Sequence, residues 1–177
     1  MIFVSDVHDS PGALRRLVAL GEEIVILGDL VNLTDYRTGK GAVATVMGDD
    51  FASRSSSARA RGNYGEMRSM WSEQVGDSRE AVRRRIVEEL SLQYQRAGEA
   101  LAGGRGLVIH GNVDRPTALE AALPEGFEYV HGQVVEREGL RLGMVGGGVR
   151  TPLQAEGEVD DDDMSRILES LGPIDIL

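Results

Sequence analysis

Asp6, His8, Asp29 and Asn112 are the side chains of this sequence best suited to hold a metal ion, and their spacing groups them into three short sets: Asp6-x-His8, Gly28-Asp29 and Gly111-Asn112-x-Asp114. Carboxylate and amide oxygens mixed with an imidazole nitrogen suit Mn²⁺, Fe or Zn²⁺ better than Ca²⁺, which prefers an all-oxygen shell. A carboxylate placed between two other ligand sets can bridge a pair of ions about 3.5–4 Å apart, the separation used for phosphoryl hydrolysis. Asp29, on the middle set, is the expected bridge.

Each set follows a short apolar run of strand-forming character. Met1-Ile2-Phe3-Val4 precedes Asp6, Glu23-Ile24-Val25-Ile26-Leu27 precedes Gly28-Asp29, and Gly106-Leu107-Val108-Ile109 precedes His110-Gly111-Asn112. The second run is almost continuously apolar, as expected of a parallel strand covered on both faces. In an open α/β sheet, ligands gather beyond the carboxyl ends of the strands. Three strands that each deliver a donor at that end predict a common site.

The intervening chain must bring those ends together. Ser10 with Pro11 marks a helix start, Leu14, Leu17, Val18 and Leu20 give the apolar face, and Gly21 the stop. Strand, helix and strand in that order predict a parallel pair with a right-handed crossover. From Leu33 to Gly104 the alternation lapses. Phe51 to Asn63, rich in Ser, Arg and Gly, reads as a mobile loop, and Glu66 to Val75 as a helix. Asp77 with Glu80 has the form of a capping box ahead of a longer helix carrying Val82, Ile86, Leu90, Tyr94, Ala97 and Leu101. The segment is either a helical insertion packing on itself or on the sheet, or a cap over the active edge that selects substrate.

After Gly104 the alternation resumes, with a strand at Leu107–Ile109, a helix at Pro116–Leu123, and strands at 128–135 and 140–145. Arg137-Glu138-Gly139 predicts a hairpin between the last two. Gly146-Gly147-Gly148 reads as a tight turn rather than a phosphate cradle, since no helix start follows. Asp160 to Asp163 suit the positive end of the helix predicted over Met164–Leu171. Pro173 to Leu177 reads as one more buried strand. Gly39-Lys40-Gly41 lacks the glycine spacing and the Ser/Thr of a P-loop.

With 177 residues, 41% of them hydrophobic, the chain can bury a core of domain size. A net charge of −10 opposes general nucleic-acid binding, which needs a basic footprint. No stretch approaches membrane-spanning length and there is no cysteine for disulfides or thiolate zinc, so a cytoplasmic location and no membrane partner are expected.

Asp6-x-His8, Gly28-Asp29-x-x-Asn32 and Gly111-Asn112-x-Asp114, in order and each after a strand, resemble the first three signature blocks of the calcineurin-like metallophosphoesterases. The resemblance covers the chain apart from the 33–104 insertion. It implies an α/β fold, a metallophosphoesterase-like β-sandwich flanked by helices in αββα layers, and two divalent ions, Mn²⁺ first and Fe or Zn²⁺ next. It further implies that a phosphodiester or phosphomonoester of small size is hydrolysed by a metal-bound hydroxide. By the same analogy Asp6 and His8 bind the first ion, Asp29 bridges, and Asn112 binds the second and touches phosphate. Asp29, Asn112 and Asp114 form the catalytic set, with Asp114 serving as outer support.

Two departures stand out. Val113 occupies the place of a histidine that assists the leaving group, although some small bacterial phosphodiesterases of the family also lack it. The family's later histidine blocks are also missing, because the only histidines are His8, His110 and His131. Residues 1–177 are therefore expected to form a single domain that is an N-terminal portion of a longer protein, impaired or inactive alone. His110 reads as a satisfied strand-end histidine or a site residue, and His131 as structural. Arg115 either steers a phosphate or serves locally, and Asn32 either hydrogen-bonds behind the site or caps a helix. The competing reading is a non-catalytic, partner-binding scaffold on the same fold.

Overall fold

The computed structural model describes residues 1–35, 37–150 and 155–177. The chain divides into two compact units, one formed by Met1–Val31 with Tyr94–Leu177 and the other by Asn32–Gln93.

The first unit is built on a four-stranded parallel sheet. Its strands are β1 (Ile2–Val4), β2 (Ile24–Leu27), β3 (Gly106–Ile109) and β4 (Phe127–Tyr129), in the order β1-β2-β3-β4. Phe3 pairs with Val25, Val25 with Leu107, and Leu107 with Glu128, so the carboxyl ends of the first three strands lie in register. Ile24, Val25 and Ile26 of β2 and all of β3 are buried, as a sheet covered on both faces requires, while Leu27 at the end of β2 is exposed. The protein is thus a mixed α/β fold around a parallel sheet.

Between β1 and β2 runs α1 (Pro11–Val18), with proline at its first position and Leu14 buried. Ser10 precedes it without a capping hydrogen bond from its side chain. Helix α6 (Pro116–Ala122) joins β3 to β4 and buries Leu119. The chain then leaves the parallel sheet. The single strand expected over 128–135 is two strands in different sheets, because Gly132 turns the backbone at φ 67°. Its N–H donates to Met144 O, which starts an antiparallel hairpin of β5 (Gln133–Arg137) and β6 (Leu140–Met144). Glu138 and Gly139 both have positive φ, the geometry that a two-residue hairpin turn demands. Val25, Leu107, Ile109 and Val130 pack with Leu142 and Met144 into one core, so the hairpin covers one face of the parallel sheet.

Two short strands, β7 (Gly148–Val149) and β8 (Glu158–Val159), pair in parallel, and α7 (Asp161–Ser170) follows with three aspartates in its first turn. Pro173–Leu177 does not form the expected buried strand. A single bridge ties Ile176 to Leu142, while Ile176 and Leu177 are exposed. Together with Phe3, Leu27 and Val145 they line an apolar groove of about 340 Å³.

The second unit is helical, with α2 (Ala42–Met47), α3 (Asp49–Ala60), α4 (Tyr64–Val75) and the start of α5 (Arg79–Leu101). Its core joins Val43, Phe51, Ala52 and Met70, and Trp71 meets Phe51 edge-on with ring centres 4.9 Å apart. The loop expected over Phe51–Asn63 is mostly helix α3. Phe51, Ala52, Ser55, Ser56 and Ala58 form its buried stripe, and small residues at helical spacing carry little hydropathy signal. The side-chain cap in this region stands elsewhere, at Asn63 ahead of α4. Asn63 Oδ1 accepts from Glu66 N at 3.1 Å, and Asn63 Nδ2 donates to Glu66 Oε2 at 2.9 Å, whereas Asp77 lies in a 3₁₀ turn, Gly76–Ser78, that runs into α5.

Asn32 is held in the helical unit by Gln93. Asn32 N donates to Gln93 Oε1 at 2.7 Å, and Gln93 Nε2 donates to Asn32 O at 3.2 Å. Among the described residues, no helix is long and apolar enough to cross a membrane.

Candidate metal centre

The turns after β1, β2 and β3 converge. His8 N donates to Asp29 O and Asp9 N to Leu30 O, each at 3.0 Å, which stitches the first turn to the second. The second turn meets the third through glycine. A Cβ on Gly28 would stand 2.3 Å from Gly111 N, and one on Gly111 would stand 2.0 Å from Asp29 Oδ1. No side chain fits at either place, so the Gly-Asp and Gly-Asn pairs are required by the approach of two backbones. Val113 N completes the contact, donating to Asp29 Oδ1 at 3.3 Å.

Within this junction Asp6, His8 and Asp29 each offer a ligand atom, and those atoms lie within 4.8 Å of one another. Among the described residues no other group of three acidic or histidine side chains does so. His8 Nε2 lies 3.6 Å from Asp6 Oδ1. His8 Nδ1 is buried without a hydrogen-bond partner among the described residues, and a buried polar atom left so is costly. The donor set, one imidazole and two carboxylates, fits a single Mn²⁺, Fe or Zn²⁺ ion.

The backbone at these positions is strained. Asp6, His8, Asp9 and Asp29 have φ of 53°, 46°, 52° and 51°, and Glu138 of the hairpin is the only other described non-glycine residue with positive φ. Each such residue costs on the order of 1 kcal/mol. Strain gathered at the candidate ligands is the mark of a turn shaped for what it presents rather than for its own stability.

Burial raises the pKa of Asp29 above the ordinary carboxylate value. The Val113 N–H opposes that shift, the charge of Asp114 adds to it, His8 opposes it and Asp6 adds again. A nearby cation would favour the ionised form.

Asn112 stands between Gly111 and Val113, the two residues whose backbones touch Asp29, and its Cβ lies against Gly148. Asp114 is wholly buried. Its Oδ1 accepts from Leu30 N at 3.1 Å and from the Tyr94 hydroxyl at 3.1 Å, and its Oδ2 accepts from Gly111 N at 2.8 Å. With both oxygens engaged and no path to solvent, it ties the second and third turns together from behind. Tyr94 in turn accepts from Arg115 N at 2.7 Å. Burial, then the charge of Asp114, raises the Tyr94 pKa and keeps the phenol protonated.

The two remaining histidines face each other behind the third turn, with ring centres 4.8 Å apart. His110 Nδ1 shares a hydrogen bond of 2.8 Å with the Tyr129 hydroxyl, so His110 is the satisfied strand-end residue. Burial, and secondarily His131, lowers its pKa to about 4. His131 Nδ1 accepts from Gly146 N at 3.0 Å, which anchors the glycine triplet, and burial lowers its pKa as well. Arg115 is spoken for: its Nε and Nη2 each lie 2.9 Å from a Glu156 carboxylate oxygen.

No family model, curated protein or solved structure matches this chain.

Two residues of α5 whose spacing marks no more than packing, or nothing, also meet this junction. Tyr94 belongs to an apolar stripe by its spacing, yet its hydroxyl completes the Asp114 tie. Arg96, two residues on, grips Asp9 through two hydrogen bonds. Helical periodicity reports which face is buried and says nothing of what the buried hydroxyl touches. A tyrosine in place of leucine within such a stripe was the available signal, since buried phenols need a partner.

Proposed function

We propose that this chain is a metal-dependent phosphoesterase, hydrolysing a phosphodiester or phosphomonoester at the junction of the three turns, on a metallophosphoesterase-like sandwich. The observation that carries this reading is the convergence of Asp6, His8 and Asp29, each on a left-handed backbone, beyond the carboxyl ends of β1 and β2. The core shared by the parallel sheet and the β5–β6 hairpin supports the layered fold.

Asp6, His8 and Asp29 would hold the first divalent ion, and Asp29 with Asn112 a second. Such ions supply charge neutralisation at phosphate oxygens and acidify water. Asp29 is suited to its part because the Val113 N–H holds one oxygen in place while His8 and Asp6 flank it. Hydrolysis replaces the P–OR bond by a P–OH bond from water, and the departing alkoxide takes up a proton. Val113 supplies none, and Asp114 is sealed behind the turn. Esters with stable leaving groups, such as p-nitrophenyl phosphates, are therefore the preferred substrates.

The test is Mn²⁺ titration by calorimetry alongside p-nitrophenyl ester turnover, with Asp29→Asn as the control. Wild-type binding should weaken by about 100-fold in the variant and turnover should vanish with it. Equal Mn²⁺ affinity in the two proteins would defeat the assignment. Metal binding without turnover of any phosphate ester would favour the scaffold.

A further inference from the structure

We propose that Arg96 is a positioning residue of the metal centre: through its two-pronged grip on Asp9 it holds the turn that aims His8 at Asp6 and Asp29. The proposal rests on the metal-binding reading of that site. Three of the four residues from Asp6 to Asp9 are left-handed. An isolated chain of L-residues avoids that backbone, so something must hold it. The main-chain hydrogen bonds of His8 and Asp9 to the second turn act on one side.

On the other side stands Asp9, whose side chain contributes nothing to the ligand cluster. Arg96 Nε donates to its Oδ1 at 3.2 Å and Nη2 to its Oδ2 at 2.7 Å. Both carboxylate oxygens are thereby occupied and the Asp9 side chain is fixed in direction as well as distance, which a planar fork achieves and a point charge does not. Arg96 can serve as an anchor because its own helix is rooted. Tyr94, Ala97, Ala100 and Leu101 around it are almost fully buried, and Tyr94 grips the Asp114 tie. From two residues of one helix, struts thus reach the first turn through Asp9 and the third through Asp114, which in turn holds Leu30 of the second. The pair is only partly shielded from water, with side-chain exposures of 41% for Arg96 and 23% for Asp9. An ion pair of that kind contributes little to global stability. Its effect should be local.

The experiment compares the wild-type chain with Arg96→Gln and Arg96→Lys by Co²⁺ titration, followed in the visible spectrum, and by amide hydrogen exchange without metal. Arg96→Gln is expected to weaken Co²⁺ binding by about tenfold or more, to alter the Co²⁺ absorption bands, and to speed exchange of the His8 and Asp9 amides. The β3 amides should keep their protection. Arg96→Lys should fall between the two, and Asp9→Asn should reproduce the local loss. Unchanged His8 and Asp9 exchange in Arg96→Gln would overturn the proposal. So would a loss that extends equally to β3, because the pair would then support the fold as a whole. If the wild-type chain does not take up Co²⁺, the metal reading fails on that result alone, and the exchange data still decide whether Arg96 holds the turn.

Discussion

Asp29 and Asp114 are both carboxylates at the end of a parallel strand, both sit in a turn opened by glycine, and they are near enough to feel each other's charge. Their surroundings differ completely. Asp114 is fully buried, and its oxygens accept from the backbones of two turns and from a phenol. Asp29 is half-buried on a left-handed backbone, with one N–H on one oxygen and two other donor side chains beside it. A carboxylate with every lone pair satisfied is a structural tie. One placed among other donors and left partly unsatisfied has the surroundings that the proposed ligand role of Asp29 requires. The identity of the residue does not separate the two roles; the count of donors aimed at it does.

By that contrast, the largest effect on stability belongs to Asp114. Asp114→Ala should cost about 3 kcal/mol or more in urea unfolding, because the buried amides of Leu30 and Gly111 and the Tyr94 hydroxyl each lose their acceptor. A loss under about 1 kcal/mol would mean that water or a neighbour replaces it, and the tie would be a lesser feature.

An intermediate effect is expected from acid. The folded pKa of His110 lies near 4, below its unfolded value, so the native state holds the ring neutral while the unfolded chain takes up a proton first. Stability from this group is intact above the ordinary histidine range and is lost as pH falls from about 6.5 towards 4, by up to about 1.4 kcal/mol per pH unit. His110→Gln should flatten that part of the pH profile measured by chemical denaturation. A slope unchanged in the variant would place the acid sensitivity elsewhere.

The smallest effect on the fold belongs to Asp29. Without metal, Asp29→Asn should leave the melting temperature at or above the wild-type value, because burial and the charges of Asp114 and Asp6 oppose its ionised form. Marked destabilisation would make Asp29 a tie like Asp114 and erase the distinction.

Much of this site was legible before any coordinates. The apolar runs ending in Asp6-x-His8, Gly28-Asp29 and Gly111-Asn112 predicted strands β1 to β3 and their common edge, since short apolar runs rich in Ile and Val that stop at polar or glycine residues suit buried strands. Donor chemistry singled out Asp6, His8, Asp29 and Asn112, and the first three converge. What escaped was contact made through polar atoms of residues counted as packing, Tyr94 foremost, and the Asp9–Arg96 pair, whose members stand far apart in sequence. Helix α3 escaped because Ser and Ala stripes carry too little apolar contrast. The 128–135 run misled because a single left-handed glycine can send adjacent strand-formers into different sheets.

The division between the two compact units falls at Gln93–Tyr94, within the continuous helix α5. Proteases bind extended chain, and a helical peptide bond offers them no such conformation until it unwinds. Trimming experiments should therefore find no nick at that border, and the helical unit should not come away as a free fragment while α5 stays wound. Anyone wishing to express either unit alone has a loop to cut at Val31–Asn32 but must choose where to break a helix at the other end.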